Sequence, residues 1–76
     1  MEVSLYTKNN CGMCKNTKRY LKMVGVPFVE KNIEENETYM DEARETGFTT
    51  LPIIKTAEDV FSGHQPDKLE ALFGSL

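Results

Sequence analysis

Cys11 and Cys14 are the chain's two cysteines, and they stand three residues apart in Cys11-Gly12-Met13-Cys14. A bridge across so short a loop removes little entropy from the unfolded chain, so the pair cannot be the staple of the fold. The spacing suits reversible thiol–disulfide exchange instead. Residues three apart in the first turn of a helix point to one side, which makes a bridge geometrically feasible. At a helix N-terminus, free backbone N–H groups and the macrodipole stabilise an anion. A thiolate at Cys11 is such an anion, so its pKa is expected to fall below the ordinary thiol value. Cys11 is therefore assigned as the nucleophile. Cys14, one turn further in and expected to be more buried, is assigned as the resolving thiol. Gly12 has no side chain to shield the Cys11 sulfur, and Met13 offers an adaptable apolar contact. Asn9-Asn10 before the motif and Lys15-Asn16 after it predict a solvent-facing edge.

Other uses of two cysteines weigh less. A closed zinc site takes about four ligands. Beyond the cysteines the chain offers one histidine, His64, and scattered carboxylates, so no metal site is expected. Buried, inert thiols conflict with the polar flanks. A cluster shared between two chains, each giving cysteines to iron, stands as a more distant alternative.

The motif needs elements to position it. Val3–Thr7 is β-rich and predicts a strand. From about Gly12 the spacing turns helical, with Met13, Thr17, Tyr20 or Leu21, and Val24 recurring at steps of three and four, and Gly25 as the stop. Pro27–Ile33 predicts a second strand, and Glu34–Thr46 a surface helix with an apolar stripe at Tyr39, Met40 and Ala43, ended by Gly47. Leu51–Lys55 and Val60–Phe61 predict two strands joined by a turn at Ala57–Asp59. The last helix starts within Gly63–Pro66, with Pro66 in its first turn, and sends Leu69, Leu72 and Phe73 inward. A crossover helix makes the first two strands parallel, and the short turn makes the last two antiparallel. The expected fold is α/β: a four-stranded mixed sheet with three helices, β-α-β-α-β-β-α, the minimal thioredoxin-like arrangement.

Length and charge bound the rest. Seventy-six residues allow one domain, residues 1–76, and a composition 39% hydrophobic and 28% charged is that of a globular chain. A net charge of −3 argues against nucleic-acid backbone binding. Apolar runs are too short to span a membrane, and the N-terminus lacks the pattern of a signal peptide, so a cytoplasmic protein is expected.

Leu51-Pro52 sits where a strand should begin. A cis peptide there would turn the Leu51 backbone outward beside Cys11, where an extended partner segment could pair with it. Tyr6, Met13 and Leu51 are candidates for exposed apolar groups around Cys11, with a strand-core position equally weighted for Tyr6. His64 is read as an exposed loop histidine rather than a proton shuttle. Glu34, Glu35, Glu37, Asp41, Glu42 and Glu45 are read as a solvated acidic face.

With strand, Cys-Gly-Met-Cys, helix, Thr-Leu-Pro and a late Ser-Gly in place, the chain resembles the glutaredoxin-like proteins of the thioredoxin superfamily, and within them the NrdH-redoxins. The resemblance covers nearly the whole chain. Tyr6-Thr7-Lys8-Asn9-Asn10-Cys11 is similar to the approach to the motif in glutaredoxins and NrdH-redoxins. Gly47-Phe48-Thr49-Thr50-Leu51-Pro52 resembles the Gly-Phe-x-x-x-Pro stretch of NrdH-redoxins. Phe61-Ser62-Gly63-His64-Gln65-Pro66 resembles their Trp-Ser-Gly-Phe-Arg-Pro segment. The resemblance implies a dithiol–disulfide oxidoreductase: a monomeric electron carrier that reduces class Ib ribonucleotide reductase and is recharged by thioredoxin reductase. It implies no cofactor beyond the Cys11–Cys14 disulfide. Carried over residue by residue, it makes Pro52 the cis-proline and Ser62 and Gly63 the wall of a partner groove. That groove is completed by Lys8, Gly12, Met13, Thr50 and Leu51. Phe61, His64 and Gln65 replace the family's Trp, Phe and Arg, in a segment that organises a polar network near the family's active site. The alternative is a glutathione-dependent glutaredoxin, with Lys8 on a glutathione carboxylate and Asp67 in the acidic position nearby.

Overall fold

Strand β1 (Ser4–Thr7) lies between β2 (Val29–Asn32) and β3 (Ile53–Lys55) in a four-stranded sheet with β4 (Val60–Ser62) beyond β3, in the order β2-β1-β3-β4, and all four residues of β1 are buried. A central strand covered on both faces buries both sets of its alternating side chains. The structure, a computed structural model, describes residues 2–74. After β1 come α1 (Gly12–Met23), β2 (Val29–Asn32), α2 (Glu37–Glu45), β3 (Ile53–Lys55), β4 (Val60–Ser62) and α3 (Pro66–Phe73). β1 pairs with β2 in parallel and with β3 antiparallel, and β3 pairs with β4 antiparallel. The expected thioredoxin-like order of strands and helices is the observed one.

The period of two divides the core. Leu5 lies opposite Ile54, and both join the cluster built from Val3, Leu21, Phe61, Leu69 and Phe73, which α1 and α3 cover. Tyr6 lies opposite Ile53, and both join the other cluster, with Ala43 of α2, Leu51 and the two cysteines. The redox motif is thus anchored in a core layer of its own. Leu69 and Phe73 are fully inward, while Leu72 is half-buried at the margin.

Element ends differ from expectation for local reasons. β2 begins at Val29, whose N–H donates to Val3 C=O at 2.9 Å; Pro27 has no N–H to give. α2 begins at Glu37 rather than Glu34, because Asn36 Oδ1 accepts from the Thr38 N–H at 2.8 Å and caps the helix. β3 begins at Ile53, after the proline, and β4 extends to Ser62, the partner of Ile53. α1 ends at Met23, and Gly25, at φ +75°, supplies the left-handed turn that lets the Val26 N–H reach back to Leu21 C=O at 2.9 Å.

Candidate active site

Cys11 is the N-cap of α1, with extended backbone (φ −111°, ψ 106°) following a left-handed Asn10 (φ 58°). The cap position places its sulfur over the first turn, where the Cys14 N–H donates to Cys11 Sγ at 3.1 Å. Its carbonyl accepts from the Lys15 N–H at 3.1 Å, which starts the helical ladder. Cys11 and Cys14 are joined as a disulfide, with their Cα atoms 5.2 Å apart. No acidic residue lies in the first turn to oppose an anion on Cys11.

The motif lies on an edge whose flanks are exposed, Asn9, Asn10, Lys15 and Asn16 among them. The cysteines themselves are largely covered, Cys11 at 6% exposure and Cys14 at 2%. Packing against Leu51, Ile53 and Ala43 covers them. Gly12 is exposed, and Met13, at 44%, is the large apolar side chain presented beside the pair.

The proposed groove residues gather in part. The Leu51–Pro52 peptide is cis. Leu51 packs in the cysteine cluster and is buried, which corrects its reading as an exposed apolar group. The Pro52 carbonyl accepts from the Gly63 N–H at 2.8 Å, and Gly63 holds φ +83°, so the proline and the Ser62-Gly63 turn are stitched together. Thr50 is exposed just before this pair, and Lys8 is exposed three residues before Cys11.

Tyr6 settles as core, at 1% exposure, and does not stand beside Cys11 as an open contact. Its hydroxyl donates to Glu42 Oε1 at 2.7 Å. Lys31 Nζ donates to the same oxygen at 3.2 Å and lies 5.5 Å from the centre of the Tyr6 ring. Burial first, then the Glu42 bond and the charges of Glu42 and Glu45, push the Tyr6 phenol well above its ordinary value. Glu42 is held below the usual carboxylate range, chiefly by the Tyr6 hydroxyl and then by Lys31. The acidic face of α2 is therefore not wholly solvated: Glu42 is tied to the core.

A second polar cluster joins β1, β2 and α1. Thr7 Oγ1 donates to Glu30 Oε2 at 2.8 Å, and Lys18 Nζ pairs with the same oxygen at 3.0 Å. Burial alone would raise the Glu30 pKa, but the Thr7 hydroxyl and the Lys18 ammonium outweigh it and hold the group low.

His64 departs from its expected exposure. It is half-buried, with Nδ1 2.8 Å from Oγ1 of Thr17, a residue at 0% exposure one turn beyond Cys14. The signal available in the sequence was Thr17 itself, a hydroxyl on the inward stripe of α1 that had to find a partner. The partner lies 47 residues away, a distance over which periodicity is silent.

Among the described residues, no group of three or more His, Cys, Asp or Glu side chains is gathered closely enough to hold a metal ion, and no helix is long and apolar enough to cross a membrane.

The glutaredoxin family model matches residues 3–61. The glutaredoxin-like protein NrdH of Lactococcus lactis subsp. cremoris is 37% identical over 70 residues, covering 92% of this chain and 97% of the relative. The NrdH protein of Escherichia coli K12 is 31% identical over 72 residues, covering 95% and 89%. The solved NrdH-redoxin from Escherichia coli superposes with a TM-score of 0.87 at 30% identity over 95% of each chain. A glutaredoxin from Archaeoglobus fulgidus superposes at 0.79 with 25% identity, over 92% of this chain and 83% of that one. Fold, motif and relatives agree: the chain belongs to the glutaredoxin family, among the NrdH-redoxins, and is a thiol–disulfide oxidoreductase carrying the Cys11–Cys14 pair.

Proposed function

We propose that this redoxin carries electrons from thioredoxin reductase to class Ib ribonucleotide reductase, as a cytoplasmic monomer with no cofactor beyond its own disulfide. The observation that carries the proposal is the placement of Cys11 at the N-cap of α1, with the Cys14 N–H 3.1 Å from its sulfur. That N–H and the helix dipole favour negative charge on Cys11 in the reduced protein. The Cys11 thiolate attacks one sulfur of the partner disulfide and expels the other as a thiolate. Cys14 then attacks Cys11 Sγ, which releases the second partner thiolate and closes the Cys11–Cys14 bond. Two electrons pass to the partner, and a reductase drawing on NADPH returns two to the redoxin.

Pro52, Ser62 and Gly63 form the groove wall, joined by the Gly63 N–H to Pro52 C=O bond. Thr50, Gly12, Met13 and Lys8 are the exposed groups around Cys11, and Leu51 lies buried in the cluster that holds the cysteines. The solved Escherichia coli relative is described by a thioredoxin-like activity profile, which favours thioredoxin reductase as the donor for this chain too. The likeness to a glutaredoxin from Archaeoglobus fulgidus keeps a glutathione-dependent activity, with Lys8 on a glutathione carboxylate, as the second reading.

A recharging assay on the oxidised protein separates the two. One reaction contains NADPH and thioredoxin reductase; the other contains NADPH, glutathione and glutathione reductase. NADPH consumption confined to the first reaction is expected. Consumption confined to the second would replace the proposal with the glutaredoxin reading.

A further inference from the structure

The segment Ser62-Gly63-His64-Gln65 begins at the last residue of β4 and stands beside Pro52. Three of its hydrogen bonds bear on its place beside the groove. The Gly63 N–H donates to Pro52 C=O at 2.8 Å, Gln65 Nε2 donates to Ser62 C=O at 2.7 Å, and His64 Nδ1 lies 2.8 Å from Thr17 Oγ1. The first two are local to the turn and its neighbouring strand. The third alone among them reaches α1, the helix that carries Cys14. We infer that His64 is a positioning residue, which fixes the wall of the partner groove relative to the cysteine helix through Thr17. The inference rests on the groove reading above.

The chemistry of the contact fits a tether better than a proton relay. Thr17 is fully buried, and its hydroxyl is the kind of group that must be satisfied inside a fold. A hydroxyl both donates and accepts. It accepts from Nδ1–H when that nitrogen is protonated and donates to Nδ1 when it is bare, so the contact persists in either state of the ring. What the bond needs is a nitrogen or oxygen at the Nδ1 position. An asparagine side chain places a polar atom there, and a glutamine reaches the Nε2 position instead. Without the bond, the Ser62–Gln65 turn keeps its link to Pro52 and the packing of Phe61 and Leu69 with Leu21 of α1, but loses the hydrogen bond that holds His64 against that helix. A protein partner seated across both sides would then pay an ordering cost on docking, while a small disulfide that touches only Cys11 would not.

The test compares wild type with His64→Ala, His64→Asn, His64→Gln and Thr17→Val, each shown to be folded by thermal melting. Two oxidants are used: insulin as the protein disulfide, with dithiothreitol keeping the pair reduced through turnover, and 5,5′-dithiobis(2-nitrobenzoic acid) as the small one, mixed with protein that has been reduced and then freed of dithiothreitol. His64→Ala and Thr17→Val should raise KM for insulin roughly three- to tenfold, the span of one lost hydrogen bond, with kcat little changed. Rates with the small disulfide should stay within about twofold of wild type, since no hydrogen bond to it is lost. His64→Asn should restore the insulin KM, and His64→Gln should not. An unchanged insulin KM in His64→Ala, an asparagine variant as poor as alanine, or an equal loss on both oxidants overturns the inference. A wild type that reduces the small disulfide but not insulin overturns the groove reading, and this inference with it.

Discussion

The Tyr6 hydroxyl, on the central strand, donates to Glu42 Oε1 on α2 at 2.7 Å, although the Tyr6 ring belongs to the core beside the cysteines. A phenol is an amphipathic group, able to fill a core with its ring while its hydroxyl finds a polar partner at the margin. Here that partner also receives Lys31, so one carboxylate links β1, β2 and α2. Tyr6 and Ala43 of α2 share the core layer that holds Cys11 and Cys14, so this arrangement ties α2 to that layer.

Tyr6→Phe keeps the ring and removes the hydroxyl. Its melting temperature at neutral pH should fall by a few degrees, the scale of one net hydrogen bond in a domain of this size. The pH dependence separates the variant further. Unfolding returns Tyr6 to an ordinary value near 10.0, while the folded state keeps its proton to higher pH. Above that value the unfolded chain binds fewer protons, so wild-type stability falls as pH rises. Urea unfolding from neutral to strongly alkaline pH should show a shallower alkaline decline in Tyr6→Phe. Identical slopes would remove Tyr6 as its source.

At the acid end the sign reverses. Glu30 titrates below its ordinary value of 4.5, so the unfolded chain binds more protons as pH drops. The stability it contributes is present above that value and is lost as pH falls through the folded pKa. The Lys18–Glu30 pair is about one-third exposed, at 29% and 35%, so screening limits its worth. Glu30→Gln should cost less than about 1 kcal/mol at neutral pH, should flatten the acid limb, and should lose most of its effect in high salt. Urea titrations at pH 3 to 7 with and without added salt check all three.

The order of elements was legible in the sequence because Gly25, Gly47 and Pro66 mark helix ends and because the period changes from two to 3.6 after Asn10. The redox pair was legible because a Cys-x-x-Cys after a strand and before a helix has a physical use. Tyr6 stayed undecided, since alternation gives two faces but does not say that both are covered. Only the placement of β1 in the middle of the sheet settles that. Asn36 was missed as the cap of α2, although its type is a capping signal, because the acidic run from Glu34 reads as helix. The pairings of Thr17 with His64 and of Tyr6 with Glu42 span 47 and 36 residues, and no local pattern encodes them.

The cap itself can be tested. Asn36→Ala removes the acceptor for the Thr38 N–H and should cost about 1 kcal/mol of stability. Asn36→Asp keeps an acceptor and adds favourable charge at a helix N-terminus, so it should retain wild-type stability. Equal destabilisation by both variants in urea unfolding would mean that the side chain acts through something other than capping.

The division of labour between the cysteines gives the sharpest chemical outcome. Cys11→Ser removes the attacking sulfur and should abolish reduction of any disulfide. Cys14→Ser leaves attack intact but removes the thiol that resolves the mixed disulfide. Such a variant should stop after one event, joined to its partner through Cys11. Mass spectrometry of Cys14→Ser incubated with an oxidised protein substrate should detect a one-to-one adduct that dithiothreitol reverses. Adduct formation by Cys11→Ser instead, at the more deeply buried Cys14, would exchange the two assignments. The exposures argue against that exchange, since Cys14 shows 2% of its surface and Cys11 6%, and Cys11 alone sits at the helix cap.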